Sequence, residues 1–226
     1  MLIPGLLASA RMYAAQVPQL WRAGPVMIAD HTRDDSMSGI ARRILSAAPA
    51  RFALAGLSMG GYIAFEVLRQ APQRIAKVAL LDTSARADAP EQTAMRRAQM
   101  TLASQGRLAE VVEQQFPRLV QRARRADVEL RQLFDLMAQE VGAAGFIRQQ
   151  TAILGRADSR ATLGSIRCPT LVLVGEGDEL TPPELAAEIA AGIPGARLTT
   201  VPQCGHMSTL EQPDEVTRAL LEWLEA

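Results

Sequence analysis

The chain has 226 residues, enough for one domain with a sizeable core and room for an inserted subdomain. Apolar residues make up 48% and charged residues 21%, the balance of an ordinary globular protein rather than a disordered or fibrous one. The 24 basic and 24 acidic residues cancel, which leaves no electrostatic case for binding nucleic acid or an anionic membrane.

Leu2–Pro4 is the first of six short apolar segments that read as buried strands of a parallel sheet. Val26–Ala29 is the second. Ser36 to Ala47 follows, with Met37, Ile40, Ala41, Ile44 and Leu45 on one helical stripe and Ser36 as its N-cap. Phe52–Ala55 is the third strand; it runs into Gly56-Leu57-Ser58-Met59-Gly60-Gly61, and helix formers follow around Ile63, Phe65, Val67 and Leu68. Val78–Leu81 is the fourth strand. From about Ala85 to Leu163 no strand is predicted, and stripes such as Leu130, Leu133, Phe134, Met137 and Val141 predict helices instead. Residues 85–163 therefore read as a helical insertion into a core made of 1–84 and 164–226. Its twelve arginines and nine acidic residues read as solvated helix surface. Leu171–Val174 and Leu198–Val201 are the last strands, with helices predicted at Pro183–Ala191 and Pro213–Leu224. Strand alternating with helix predicts a parallel α/β fold.

Two cysteines, Cys168 and Cys204, do not make a disulfide framework, and a reducing cytoplasm is the simplest setting. No run approaches a membrane span. Leu2–Leu7 followed by Ala8-Ser9-Ala10 has the look of a signal-peptidase site, but no basic region precedes it.

Gly-x-Ser-x-Gly between a strand and a helix is the pattern of a nucleophile elbow. The turn pushes the serine hydroxyl out of the sheet and crowds the positions two before and two after, which Gly56 and Gly60 fill. A serine needs a base near neutral pH, and the chain has only two histidines. His206 follows the last strand in Gln203-Cys204-Gly205-His206, at the carboxyl end of the sheet where ligands bind in open α/β folds. It is preferred to His31, which reads as a polar loop residue. The base needs a carboxylate to fix its tautomer. Asp178, at the tip of Gly175-Glu176-Gly177-Asp178, is the favoured acid. Asp82, closing the fourth strand, is its competitor, and Glu176 is weaker.

With these motifs in this order, the chain resembles the α/β-hydrolases throughout, from Leu2 to the C-terminal helix. The resemblance implies a three-layer fold with a helical cap and a catalytic triad Ser58, Asp178 and His206. It implies an oxyanion hole of two backbone N–H groups, from Met59 after the nucleophile and from Leu6 in Ile3-Pro4-Gly5-Leu6-Leu7, with Leu7 next in line. Similar enzymes carry a β-hairpin before this strand. Its lack here predicts a sheet of about six strands, and cleavage after Ala10 would remove half the oxyanion hole. Cys168 and Cys204 would lie at opposite ends of the sheet.

The activity implied is hydrolysis of a small, mostly apolar carboxylic ester through an acyl-enzyme, with no metal or organic cofactor. Enol-lactone hydrolysis, C–C hydrolysis of ring-cleavage products and perhydrolysis use the same triad. A non-catalytic ligand-binding protein on the same fold is the reading from another class. Dehalogenase and epoxide hydrolase chemistry is disfavoured, because those relatives carry aspartate where Ser58 stands. Met95, Met100, Val111, Val112, Phe116, Phe134, Met137 and Phe146 are the cap residues expected to line a pocket or to pack the cap helices.

Overall fold

Five parallel strands form one sheet in the computed structural model, which describes residues 1–226. They are β1 (Leu2–Ile3), β2 (Phe52–Leu57), β3 (Ile75–Leu81), β4 (Thr170–Gly175) and β5 (Arg197–Val201), in that spatial order. The expected sixth strand, Val26–Ala29, is reduced to a single parallel bridge between Ile28 and Leu2. Two hydrogen bonds hold it, Leu2 N–H to Met27 O at 2.8 Å and Ala29 N–H to Leu2 O at 2.9 Å. The reason lies in its partner. Pro4 has no N–H to extend the ladder, so β1 is two residues long and its outer neighbour finds one register position only.

The helices are α1 (Val17–Leu20), α2 (Met37–Ala47), α3 (Met59–Gln70), α4 (Pro90–Ser104), α5 (Leu108–Leu119), α6 (Val128–Leu154), α7 (Pro183–Gly192), α8 (Ser208–Glu211) and α9 (Pro213–Glu225). Ser36 caps α2 as expected, its hydroxyl accepting from Gly39 N–H at 3.1 Å. Side chains alternate across the sheet with period two. In β4, Val172 and Val174 face α2, α3 and α7, while Leu171 and Leu173 face the side covered by Val216, Leu220 and Trp223 of α9. No helix is long and apolar enough to cross a membrane.

All of α4, α5 and α6 falls between β3 and β4, where no strand interrupts. Val111, Val112, Phe116, Phe134, Met137 and Phe146 are buried in the same cluster as Leu57, Leu81 and Leu173 of the sheet. These cap residues therefore pack helix against helix and helix against sheet; of the eight named from the sequence, only Met95 and Phe134 reach the cavity described below. α6 is broken at Gly142, whose φ of 69° and ψ of 168° suit glycine alone.

Candidate active site

Every candidate residue sits just past the carboxyl end of a strand. Ser58 follows β2 and has φ 56° and ψ −115°, a strained conformation worth about 1–3 kcal/mol. It persists because the surroundings over-determine it. Ser58 N–H donates to Leu81 O at 2.9 Å, and the Ser58 carbonyl accepts from Gly61 N–H at 2.9 Å and from the Thr83 hydroxyl at 2.8 Å. A Cβ on Gly56 would overlap the Gly60 carbonyl, and one on Gly60 would overlap the Ile3 carbonyl. Glycine at both positions is a consequence of three backbones crossing at the elbow.

The structure brings Ser58, His206 and Asp178 into one line. Ser58 Oγ is 2.8 Å from His206 Nε2, and His206 Nδ1 is 2.8 Å from Asp178 Oδ2. Asp178 is fixed in turn. Its Oδ1 accepts from the N–H groups of Leu180 at 2.8 Å and Thr181 at 2.9 Å, and its Oδ2 from the Thr181 hydroxyl at 2.7 Å. Burial opposes the Asp178 charge, yet His206 and the Thr181 donors hold its pKa below the usual carboxylate range. Burial likewise opposes imidazolium at His206, but the Asp178 charge and hydrogen bond raise its pKa above the ordinary imidazole value.

Asp82, the competing acid, does not reach His206. It is fully buried with φ 44°, and it accepts from Gly175 N–H at 2.9 Å and from the Ser208 hydroxyl. Burial, with the Asp178 charge behind it, pushes its pKa up to about 8. Glu176 lies on the outer side of the turn, accepting from Gln203 N–H at 3.4 Å.

The loop after β1 divides the two oxyanion candidates. Leu7 N–H is committed, donating to Gln149 Oε1 of α6 at 3.1 Å, whereas Leu6 N–H donates to no protein acceptor. Met59 N–H opens α3 and has no partner within the helix, in the place where a helix dipole favours an anion. His31 is not a surface residue: it is buried, with Nε2 2.9 Å from Gly5 O and 3.0 Å from Gln149 Nε2. Gln149 is fully buried and was invisible to sequence reasoning.

Glu211 was missed as well. Its buried carboxylate accepts from Gln121 N–H at 2.8 Å and Gly205 N–H at 3.0 Å, tying the chain after α5 to the loop that carries His206. His206 N–H itself donates to Leu119 O at 3.0 Å. A Cβ on Gly205 would overlap the Gln121 backbone, so this close approach requires the glycine. Cys204 beside it is buried, and burial raises its thiol pKa, which keeps it protonated and inert; Cys168 is also a free thiol. No three His, Cys, Asp or Glu side chains converge as metal ligands.

A cavity of about 340 Å³ opens over Ser58 and His206. Leu6, Met12, Met59, Phe134 and Leu180 give it an apolar body, with arginines and glutamines from α4, α5, the segment before α4 and the turn after α6 along the rest of its wall.

The profile of the Alpha/beta hydrolase family matches residues 2–219, and the chain belongs to that family. It is 30% identical over 175 residues to the pimeloyl-[acyl-carrier protein] methyl ester esterase of Chromobacterium violaceum, covering 75% of this chain and 68% of that protein. Among solved structures it is similar to a thermophilic esterase from Thermogutta terrifontis, with a TM-score of 0.88 and 29% identity over 99% of this chain and 88% of the other. The enol-lactonase of Burkholderia xenovorans LB400 superposes with a TM-score of 0.88 at 23% identity, over 100% and 91% of the two chains, a likeness of fold alone.

Proposed function

We propose that the chain is a carboxylic ester hydrolase acting on a small molecule through an acyl-enzyme, with Ser58 as nucleophile, His206 as general base and Asp178 as its orienting acid. The observation that carries this reading is the continuous hydrogen-bonded line from Ser58 Oγ through both nitrogens of His206 to Asp178. Ser58 Oγ attacks the ester carbonyl while His206 Nε2 takes its proton. The oxyanion meets the N–H groups of Met59 and Leu6, which are free for it, and a pair of such donors supplies much of the rate. His206 then gives its proton to the leaving alkoxide. Water, deprotonated by His206, releases the acid and restores Ser58. Asp178 stays ionised throughout and stabilises the imidazolium.

In this reading residues 85–163 are a cap subdomain that closes the cavity over the nucleophile and sets substrate shape. A fluorophosphonate probe tests the proposal. It is expected to label wild-type protein at Ser58 and to leave Ser58→Ala unlabelled. Folded wild-type protein that resists the probe refutes the hydrolase reading. Labelling combined with full esterase activity in Ser58→Ala refutes the site.

A further inference from the structure

The wall of the cavity over Ser58 contains four arginines, Arg86, Arg96, Arg118 and Arg156, and no aspartate or glutamate. Two of the four are ordinary. Arg86 is exposed and forks onto Glu188 through two bonds of 2.9 Å, and Arg118 is exposed against the Met95 sulfur. Arg96 and Arg156 are different. Their side chains are 12% and 6% exposed, and both lean on a single carboxylate, Asp88, itself 5% exposed, at 2.6 Å and 2.7 Å. A guanidinium stays charged in any protein environment. The cluster therefore holds one positive charge in excess, out of bulk water, and buried charges are ordinarily paired.

The remaining hydrogen bonds show which donors of the cluster are left over. Arg156 donates through Nε to Arg86 O at 3.2 Å and through Nη1 to Ile153 O at 3.3 Å, and its guanidinium lies 4.3 Å from the centre of the Tyr62 ring. Its Nη2 donates to nothing in the protein. Arg96 Nη1 donates to Gln150 Oε1 at 2.9 Å, which fixes the orientation of that amide. Gln150 Nε2 must then donate, and does so to Gln99 Oε1 at 3.1 Å, where Gln115 Nε2 also arrives at 3.1 Å. Gln99 is left with its Nε2 as the end without a protein acceptor. The relay from Arg96 thus terminates in an amide donor of Gln99, and Gln99 and Arg156, with its unused Nη2, both line the cavity. Leftover donors and an uncompensated charge share a wall that carries no carboxylate.

We propose that the substrate carries a carboxylate remote from its scissile ester, and that Arg156, Arg96 and the Gln99 amide hold that carboxylate while an apolar stem spans the cavity to Ser58. A half-ester of a dicarboxylic acid is the simplest such molecule. The excess of a single charge matches a carboxylate rather than a phosphate dianion, and the planar fork of a guanidinium suits it. Focusing by a one-signed wall also favours entry of an anion. This inference rests on the hydrolase reading above and refines its substrate.

The test compares the monomethyl and dimethyl esters of succinate, glutarate and adipate on the wild-type enzyme. At least one monomethyl ester is expected to show a kcat/KM tenfold or more above its dimethyl counterpart. In Arg156→Gln and Arg96→Gln that ratio is expected to fall tenfold or more, with the loss carried by KM. Dimethyl esters that match or exceed the monomethyl esters at all three lengths overturn the proposal. The wild-type comparison stands if either variant misfolds. Calorimetric binding of the same six esters to Ser58→Ala gives the preference without turnover, and equal binding of charged and neutral esters overturns it too. Fluorophosphonate labelling of Ser58 together with indifference to the charge removes the carboxylate subsite alone. Failure of labelling removes the hydrolase reading instead.

Discussion

His206 is flanked by two buried carboxyl groups, and their hydrogen bonds decide which one works with it. Asp178 receives Nδ1 of the imidazole and three donors from Leu180 and Thr181, so its charge is supported where it stands. Asp82 has only the Gly175 N–H and the Ser208 hydroxyl, and burial keeps its proton up to about pH 8. Asp178→Asn is expected to lower kcat by about 10⁴-fold, because an amide cannot hold the reactive tautomer. Asp82→Asn replaces one neutral group by another near neutral pH and is expected to cost far less. Steady-state kinetics of the two variants checks both, and a severe loss at Asp82 with a mild one at Asp178 would reverse the roles. The pH profile follows from the same charges. The base works neutral, and Asp178 raises its pKa, so activity is present above that raised value and lost as pH falls through it. The acid limb of kcat/KM is expected above the free-imidazole value of about 6.5. A limb below that value would contradict the electrostatics of the site.

Among the elements, α6 does what its sequence did not announce. Its first half was legible because Leu130, Phe134 and Met137 repeat at helical spacing and bury in one cluster, Phe134 against Phe116. Its second half was not. Gly142 redirects the helix, and only then does Gln149 arrive at the loop after β1, 142 residues away along the chain from Leu7. A glutamine in a helix carries no local signal for such a contact. The buried arginines of α4 and of the turn after α6 escaped for the same reason, since charges on a helical stretch ordinarily face water. Gln149 holds Leu7, whose φ of 56° leaves the neighbouring Leu6 N–H unpaired at the cavity. Gln149→Leu is expected to lower kcat, approaching the 10²-fold or more that follows loss of an oxyanion donor, with a smaller change in KM. Gln149→Glu keeps an acceptor for Leu7 N–H and is expected to recover part of the loss. Equal kcat in Gln149→Leu and wild type would show that the loop holds its shape without α6.

At the scale of the whole molecule, the strands were legible along the sheet, the exposed edge strand β5 included, and failed only at Val26–Ala29. β2, β3 and β4 read as continuous apolar runs and fall within a few residues of their expected bounds, whereas Val26–Ala29, half-exposed beside a two-residue strand, does not form a ladder. The relation of the helical insertion to the sheet was beyond any local pattern. The insertion shares one cluster of 30 buried residues with the sheet, and backbone bonds from His206 and Met207 to Leu119 stitch the two together at the base. A separately folded lid would have its own core and few such crossings. Cap and core are therefore expected to unfold in one cooperative step, with calorimetric and van't Hoff enthalpies that agree. Phe134, 1% exposed between Phe116 and the cavity, tests the coupling. Phe134→Ala is expected to destabilise the whole molecule by about 3–5 kcal/mol, moving a single denaturation midpoint as seen by far-ultraviolet circular dichroism and tryptophan fluorescence alike. Tryptophan is informative because Trp223 of α9 packs on the sheet, far in sequence from the insertion, and Trp21 follows α1. Two separated transitions, with the tryptophan signal unmoved by the substitution, would make the cap an independent unit and break the structural link between its helices and His206.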